Sequence, residues 1–116
     1  MAVKRIVADL HADDPAASRA FYEGVLGLEV VMDHGWITTF AAPGNSAAQL
    51  SVMREDASAP LAPDVSIEVD DVDGVYAVAV AAGYEVVHPL TDEPWGVRRF
   101  FVRDPAGKVI NILGHP

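Results

Sequence analysis

At 116 residues with 51% hydrophobic side chains, the chain fits one domain that can bury a core without covalent staples, and its lack of cysteine excludes disulfides, thiolate metal sites and thiol nucleophiles. Its formal net charge of -9, from 17 acidic against 8 basic side chains, opposes nucleic acid as a partner, because phosphate backbones demand a surplus of Lys and Arg. No stretch approaches the roughly 18 apolar residues of a spanning helix, and Asp9, His11, Asp13 and Asp14 interrupt the N-terminal apolar run before a signal peptide can form; the expectation is a cytoplasmic protein without a membrane partner.

The first predicted element is a strand over Val3 to Leu10. Ile6, Ala8 and Leu10 share one parity and Arg5, Val7, Asp9 and His11 the other, the alternation of a half-buried strand. Asp14-Pro15 then supplies a helix cap with proline at the first helical position, Phe21, Val25 and Leu26 follow at helical spacing, and Gly27 is the stop. Three strands are predicted next, over Leu28 to Met32, Trp36 to Ala41 and Ala48 to Met53, with turns at His34-Gly35 and Pro43-Gly44-Asn45-Ser46. Glu55 to Pro63, with Pro60 inside it, reads as a linker.

The same unit then restarts. Asp64 to Val69 alternates, with Val65, Ile67 and Val69 inward and Asp64, Ser66 and Glu68 on the other face. Asp71 caps a second helix whose Val72, Val75, Tyr76, Ala79 and Val80 keep helical spacing up to Gly83. Strands over Tyr84 to His88, Val97 to Arg103 and Lys108 to Leu113 follow, the last two joined by the turn Asp104-Pro105-Ala106-Gly107.

The fold expected is therefore α+β, built from two tandem βαβββ modules, residues 3–54 and 64–114, on either side of the linker 55–63 within a single domain of residues 1–116. Two copies are too few for a solenoid, so the repeat points to a pseudo-two-fold domain with a site between its halves. Ile6, Ala8 and Leu10 are expected under the helices, with Val7, Asp9, Asp64, Ser66 and Glu68 on the opposite face. A curved mixed sheet would use that face as a cup-shaped site.

The run from Pro94-Trp95-Gly96 through Asp104-Pro105-Ala106-Gly107 to Asn111 resembles the C-terminal signature of the vicinal oxygen chelate superfamily, and Ser18-Arg19-Ala20-Phe21-Tyr22 with Leu26-Gly27 resembles its N-terminal one. That superfamily includes glyoxalase I, fosfomycin-inactivating enzymes, extradiol dioxygenases, methylmalonyl-CoA epimerase and bleomycin resistance proteins. The resemblance implies the glyoxalase/bleomycin resistance fold and four ligand positions for a divalent metal. Those positions fall on Val7, on Gln49 or Ser51, on Asp64 and on Asn111. One carboxylate beside amides and a valine falls short of the roughly three good ligands of a catalytic metal centre, so no metal and no cofactor is expected. His11, His34, His88 and His115 lack close ligand spacing and read as surface or hydrogen-bonding histidines.

What remains on that face is acidic and aromatic: Asp9, Asp64 and Glu68, with Trp36 and Trp95 on or beside the strands. Carboxylates and indoles suit a flat or cationic ligand. The resemblance to the bleomycin resistance branch, through Pro94-Trp95-Gly96, implies a homodimer that sequesters an aromatic or cationic small molecule such as an antibiotic, without catalysis. The alternative is a metal-dependent lyase, isomerase or dioxygenase with non-standard ligands; a third reading has Glu68 or Asp64 as a metal-free general base.

Overall fold

A computed structural model of the protein describes residues 2–116. The chain separates into two compact units, one of Val7–Ala62 and one formed by the residues up to Ile6 with Pro63–Pro116.

The first unit holds most of β1 (Val3–His11), then α1 (Pro15–Tyr22), β2 (Glu29–Asp33), β3 (Ile37–Ala42) and β4 (Asn45–Met53). The Asp14 carboxylate accepts from Ala16 N at 3.2 Å and Pro15 opens the helix, the cap expected from sequence. Regular helix ends at Tyr22, but hydrogen-bonded turns continue it: Glu23 N donates to Arg19 O and Gly27 N to Glu23 O, and Gly27 takes a left-handed φ of +69°. Strand order is β2-β3-β4-β1, with β3 antiparallel to both neighbours and β1 parallel to β4, Ala8 opposite Leu50 and Leu10 opposite Val52.

The burial of β1 corrects an expectation. Ile6 is 60% exposed and Leu10 43%, whereas Val7 and Asp9 are buried. The assignment of faces was sound, since Ala8, Leu50 and Phe40 fall in one register row and Phe40 packs on Tyr22 of α1 at 5.2 Å. The helix, however, stands over β3 and β4 and leaves the β1 side chains of that face uncovered.

The second unit holds β5 (Val65–Val69), α2 (Val72–Ala81), β6 (Val86–Asp92), β7 (Arg98–Arg103) and β8 (Val109–Gly114). Asp71 caps α2 by accepting from Gly74 N at 3.0 Å, and Gly83, at φ +82°, follows its end. Strand order is β5-β8-β7-β6, with β5 parallel to β8. Here the expected inward parity holds: Val69, Val72, Phe100 and Ile112 form the core, Ile67 packs against them, and Tyr76 meets Phe100 edge-on at 4.9 Å. β6 runs past the predicted end at His88 to Asp92, through Pro89. Proline is tolerated there because β6 is an edge strand with one neighbour.

The two βαβββ modules thus form as expected, but the cup does not. The sheet is neither closed nor strongly curled, and β2 and β6 each have a strand on one side only. The strands supply faces, without the curvature that a cup requires. Among the described residues no helix is long and apolar enough to cross a membrane.

Candidate functional site

In the first unit, period-two alternation puts Val7, Asp9, Gln49 and Ser51 on the sheet face away from α1. Asp9, Ser51 and Thr39 form one register row across β1, β4 and β3, all buried, and the Thr39 and Ser51 hydroxyls are hydrogen-bonded at 2.7 Å. Gln49 shares the face but folds back on its own hairpin, its amide donating to Ser46 O at 2.8 Å. Trp36 lies outside this row, half-buried and stacked on His34 at 6.2 Å beside the β2–β3 turn. Asp33 builds that turn by accepting from Gly35 N at 2.8 Å.

In the second unit the corresponding face carries Asp64, Ser66, Glu68 and Asn111. Asp64 is exposed and ties the starts of two strands together: its N–H donates to Val109 O at 2.8 Å and its carboxylate accepts from Val109 N at 2.9 Å. Glu68 sits 3.2 Å from Arg5 Nε and 2.7 Å from His115 Nδ1. Burial would raise its pKa, but the His115 hydrogen bond and the charges of Arg5 and Lys4 outweigh this and hold the carboxyl below its ordinary value. Both carboxylates are therefore engaged within the fold.

Asn111 is buried at the centre of a row that runs Ser66, Asn111, Phe101, His88 across β5, β8, β7 and β6. Its Nδ2 donates to Ser66 Oγ at 3.0 Å, while its Oδ1 is buried with no hydrogen-bond partner.

Beside this row lies a buried polar cluster that the sequence reading missed. The Glu93 carboxylate, 3% exposed, holds the Arg99 guanidinium, 4% exposed, with an Nη2–Oε2 distance of 2.5 Å. Arg99 Cζ lies 5.0 Å from the Trp95 ring centroid and 4.8 Å from that of Phe101, so the cation sits within cation–π distance of two aromatic rings. His88, expected as a surface or hydrogen-bonding histidine, is buried, its Nε2 3.4 Å from Glu93 Oε2. Two register shifts in the β6–β7 pairing flank His88 and re-aim the strand that delivers it. The signal available in sequence was the hairpin Glu93-Pro94-Trp95-Gly96, which brings Glu93 back toward Arg99, and the parity that separates Arg99 from Arg98. Arg98 points to the helix side, bridging Asp73 on α2 at 2.8 Å and Asp92 at 3.1 Å.

The donors at the four family positions do not fit a divalent metal. Val7 has none, Gln49 and Asn111 offer neutral amides, Ser51 is paired with Thr39, and the Asp64 carboxylate is tied to the Val109 backbone. Among the described residues no group of three or more His, Asp or Glu is placed to hold a metal ion.

A family model described as the Glyoxalase/Bleomycin resistance protein/Dioxygenase superfamily matches residues 5–112. Among solved structures, the chain is similar to one described as an NAD-dependent benzaldehyde dehydrogenase from Legionella pneumophila, at TM-score 0.75 and 16% identity over 96% of this chain and 99% of that one. A glyoxalase/bleomycin resistance protein/dioxygenase superfamily member from Vibrio splendidus 12B01 aligns at TM-score 0.69 and 20% identity, covering 97% and 99% of the two chains. The methylmalonyl-CoA epimerase from Mycobacterium tuberculosis aligns at 0.67 and 17% identity, covering 98% and 87%. At these identities the likeness is one of fold alone. No curated protein matches the chain significantly.

Proposed function

Because the chain belongs to the Glyoxalase/Bleomycin resistance protein/Dioxygenase superfamily, we propose that it is a metal-independent binding protein that sequesters an aromatic or cationic small molecule, such as an antibiotic, without turning it over. The observation that carries this reading is Asn111: where the family resemblance places a metal carboxylate, this chain has a neutral amide committed to Ser66 through its nitrogen. An amide oxygen brings no charge to a cation but makes a good hydrogen-bond acceptor for an organic ligand. The groups next to it, Ser66 and Phe101, and beyond Phe101 the His88 and Arg99–Trp95 groups, are of the kind that line small-molecule sites. Each unit carries its own proposed ligand-binding residues: Val7, Asp9, Trp36, Gln49 and Ser51 in the first, and Asp64 and Glu68 with Asn111 in the second.

Calorimetry and tryptophan quenching against a panel of aromatic and cationic antibiotics, including bleomycin-type glycopeptides, test the reading. Stoichiometric binding with unchanged ligand recovered afterwards is expected. No binding across the panel overturns it, and a chemically altered product would favour the metal-dependent lyase, isomerase or dioxygenase instead. The reading includes a homodimer, supported by the exposed Phe21, Val25 and Leu26 at and just beyond the end of α1, 52%, 69% and 55% accessible. Light scattering at working concentration should give twice the 12.4 kDa chain mass.

A further inference from the structure

Three carboxylates reach the sheet face of the second unit turned away from α2, and each is already engaged: Asp64 with the Val109 backbone, Glu68 with Arg5 and His115, Glu93 with Arg99. A cation arriving here finds negative charge that is already compensated. The Asn111 oxygen differs. Its residue is 7% exposed, its nitrogen is held by Ser66, and the oxygen meets no donor. A buried acceptor in this condition has lost its water without regaining a hydrogen bond, and such groups are rare in folded proteins. The same oxygen rewards any ligand that brings the missing donor.

The surroundings limit the shape of that ligand. Phe101 is the register neighbour of Asn111, and the Arg99 guanidinium lies over both the Phe101 and the Trp95 ring, 4.8 Å and 5.0 Å from their centroids. Flat groups pack against flat groups with little rearrangement.

We propose that Asn111 Oδ1 is the specificity-determining hydrogen-bond acceptor of a site for neutral, planar aromatic ligands that donate an O–H or N–H. This rests on the binding function proposed above and narrows its ligand class from aromatic or cationic to aromatic and hydrogen-bond-donating. Ser66 is a positioning residue, since the bond it accepts from Nδ2 fixes which way the amide is turned and leaves Oδ1 as the unpaired atom.

Three probes of one shape test the inference on the intact protein: 2-naphthol, which donates; 2-methoxynaphthalene, which does not; and 2-naphthylmethylamine, a cation at neutral pH. Calorimetry should find 2-naphthol bound at least about tenfold more tightly than the methyl ether, the ratio expected when a buried acceptor gains or is denied its donor, and no less tightly than the amine. The Asn111 side-chain amide resonances should shift on adding 2-naphthol. Asn111→Leu should abolish the preference for 2-naphthol and raise the thermal midpoint by about 3 °C or more, because it deletes an unsatisfied polar atom from the interior. Equal affinities for the naphthol and its ether, a preference for the amine, or unmoved Asn111 resonances would overturn the proposal. These resonance shifts are read on the unmodified chain, so the test survives if the Leu variant fails to fold. A compound from the antibiotic panel that binds without touching Asn111 overturns this inference while leaving the binding function intact.

Discussion

Glu93 and Arg99 face each other inside the second unit with side chains only 3% and 4% exposed, two opposite charges sunk in an aromatic setting made by Trp95 and Phe101. The pair fixes the β6–β7 hairpin, because Glu93 N also donates to Val97 O at 2.8 Å and Gly96 N to Glu93 O at 3.1 Å. Desolvating two charges is expensive, and their mutual attraction offsets this only while both are present.

Glu93→Ala should accordingly destabilise the protein by about 3–5 kcal/mol, since it leaves a buried guanidinium without that carboxylate. The double substitution Glu93→Leu with Arg99→Met should cost markedly less. Urea denaturation of the three proteins checks this, and a double variant as unstable as the single one would show that the ion pair itself supplies net stability.

Stability should fall in acid partly through Glu68. Its carboxyl is held below the ordinary value of 4.5 by His115, Arg5 and Lys4 acting against burial. A folded-state pKa below the unfolded one contributes stability that is fully present above the unfolded value and is lost as the pH drops through the folded one. Between neutral pH and about 4.5 this contribution should be constant, then decline. Glu68→Gln should flatten that part of the curve, measured as urea midpoint against pH.

The two faces of β1 should respond oppositely to the sequence expectation. Ile6→Ser, at a position 60% exposed, should change stability by no more than about 0.5 kcal/mol. Val7→Ala, at 5% exposure, should cost about 2 kcal/mol through lost burial and the space left behind. Thermal denaturation of both variants decides between the faces.

Divalent metals should leave the thermal midpoint unchanged. Any ion that binds the native state raises it by mass action, so titrating Zn, Mn and Ni, and separately adding a chelator, reads a native metal site directly. A shift of several degrees with stoichiometric metal in the purified protein would return the metal-dependent enzyme to favour.

Much of the fold was legible because local chemistry repeats itself in the sequence. Asp14-Pro15 and Asp71 cap their helices, Gly27 and Gly83 follow them, and Asp104 holds its turn by accepting from Ala106 N and Lys108 N, both at 2.9 Å. Each of these is settled within a few residues. Part of the candidate site was legible: period-two alternation put Ser66 on its face, and the family resemblance singled out Asn111 as a ligand position. Its chemistry was not, because Glu93, His88 and Arg99 come together only through a hairpin whose first strand runs beyond its predicted end and carries two register shifts.

By itself, then, the sequence determined the doubled βαβββ unit, the helix boundaries to within a turn and the superfamily, all of which rest on short-range periodicity, caps and motif spacing. Tertiary structure alone decided three things: that α1 covers β3 and β4 and leaves Ile6 and Leu10 exposed, that the sheet stays open instead of forming a cup, and that Asp64 and Glu68, two of the carboxylates expected to greet a cation, are already engaged. Burial and charge compensation depend on which distant residues arrive as neighbours. Alternation along a strand fixes the face a side chain takes, but what covers that face is decided by the packing of other elements.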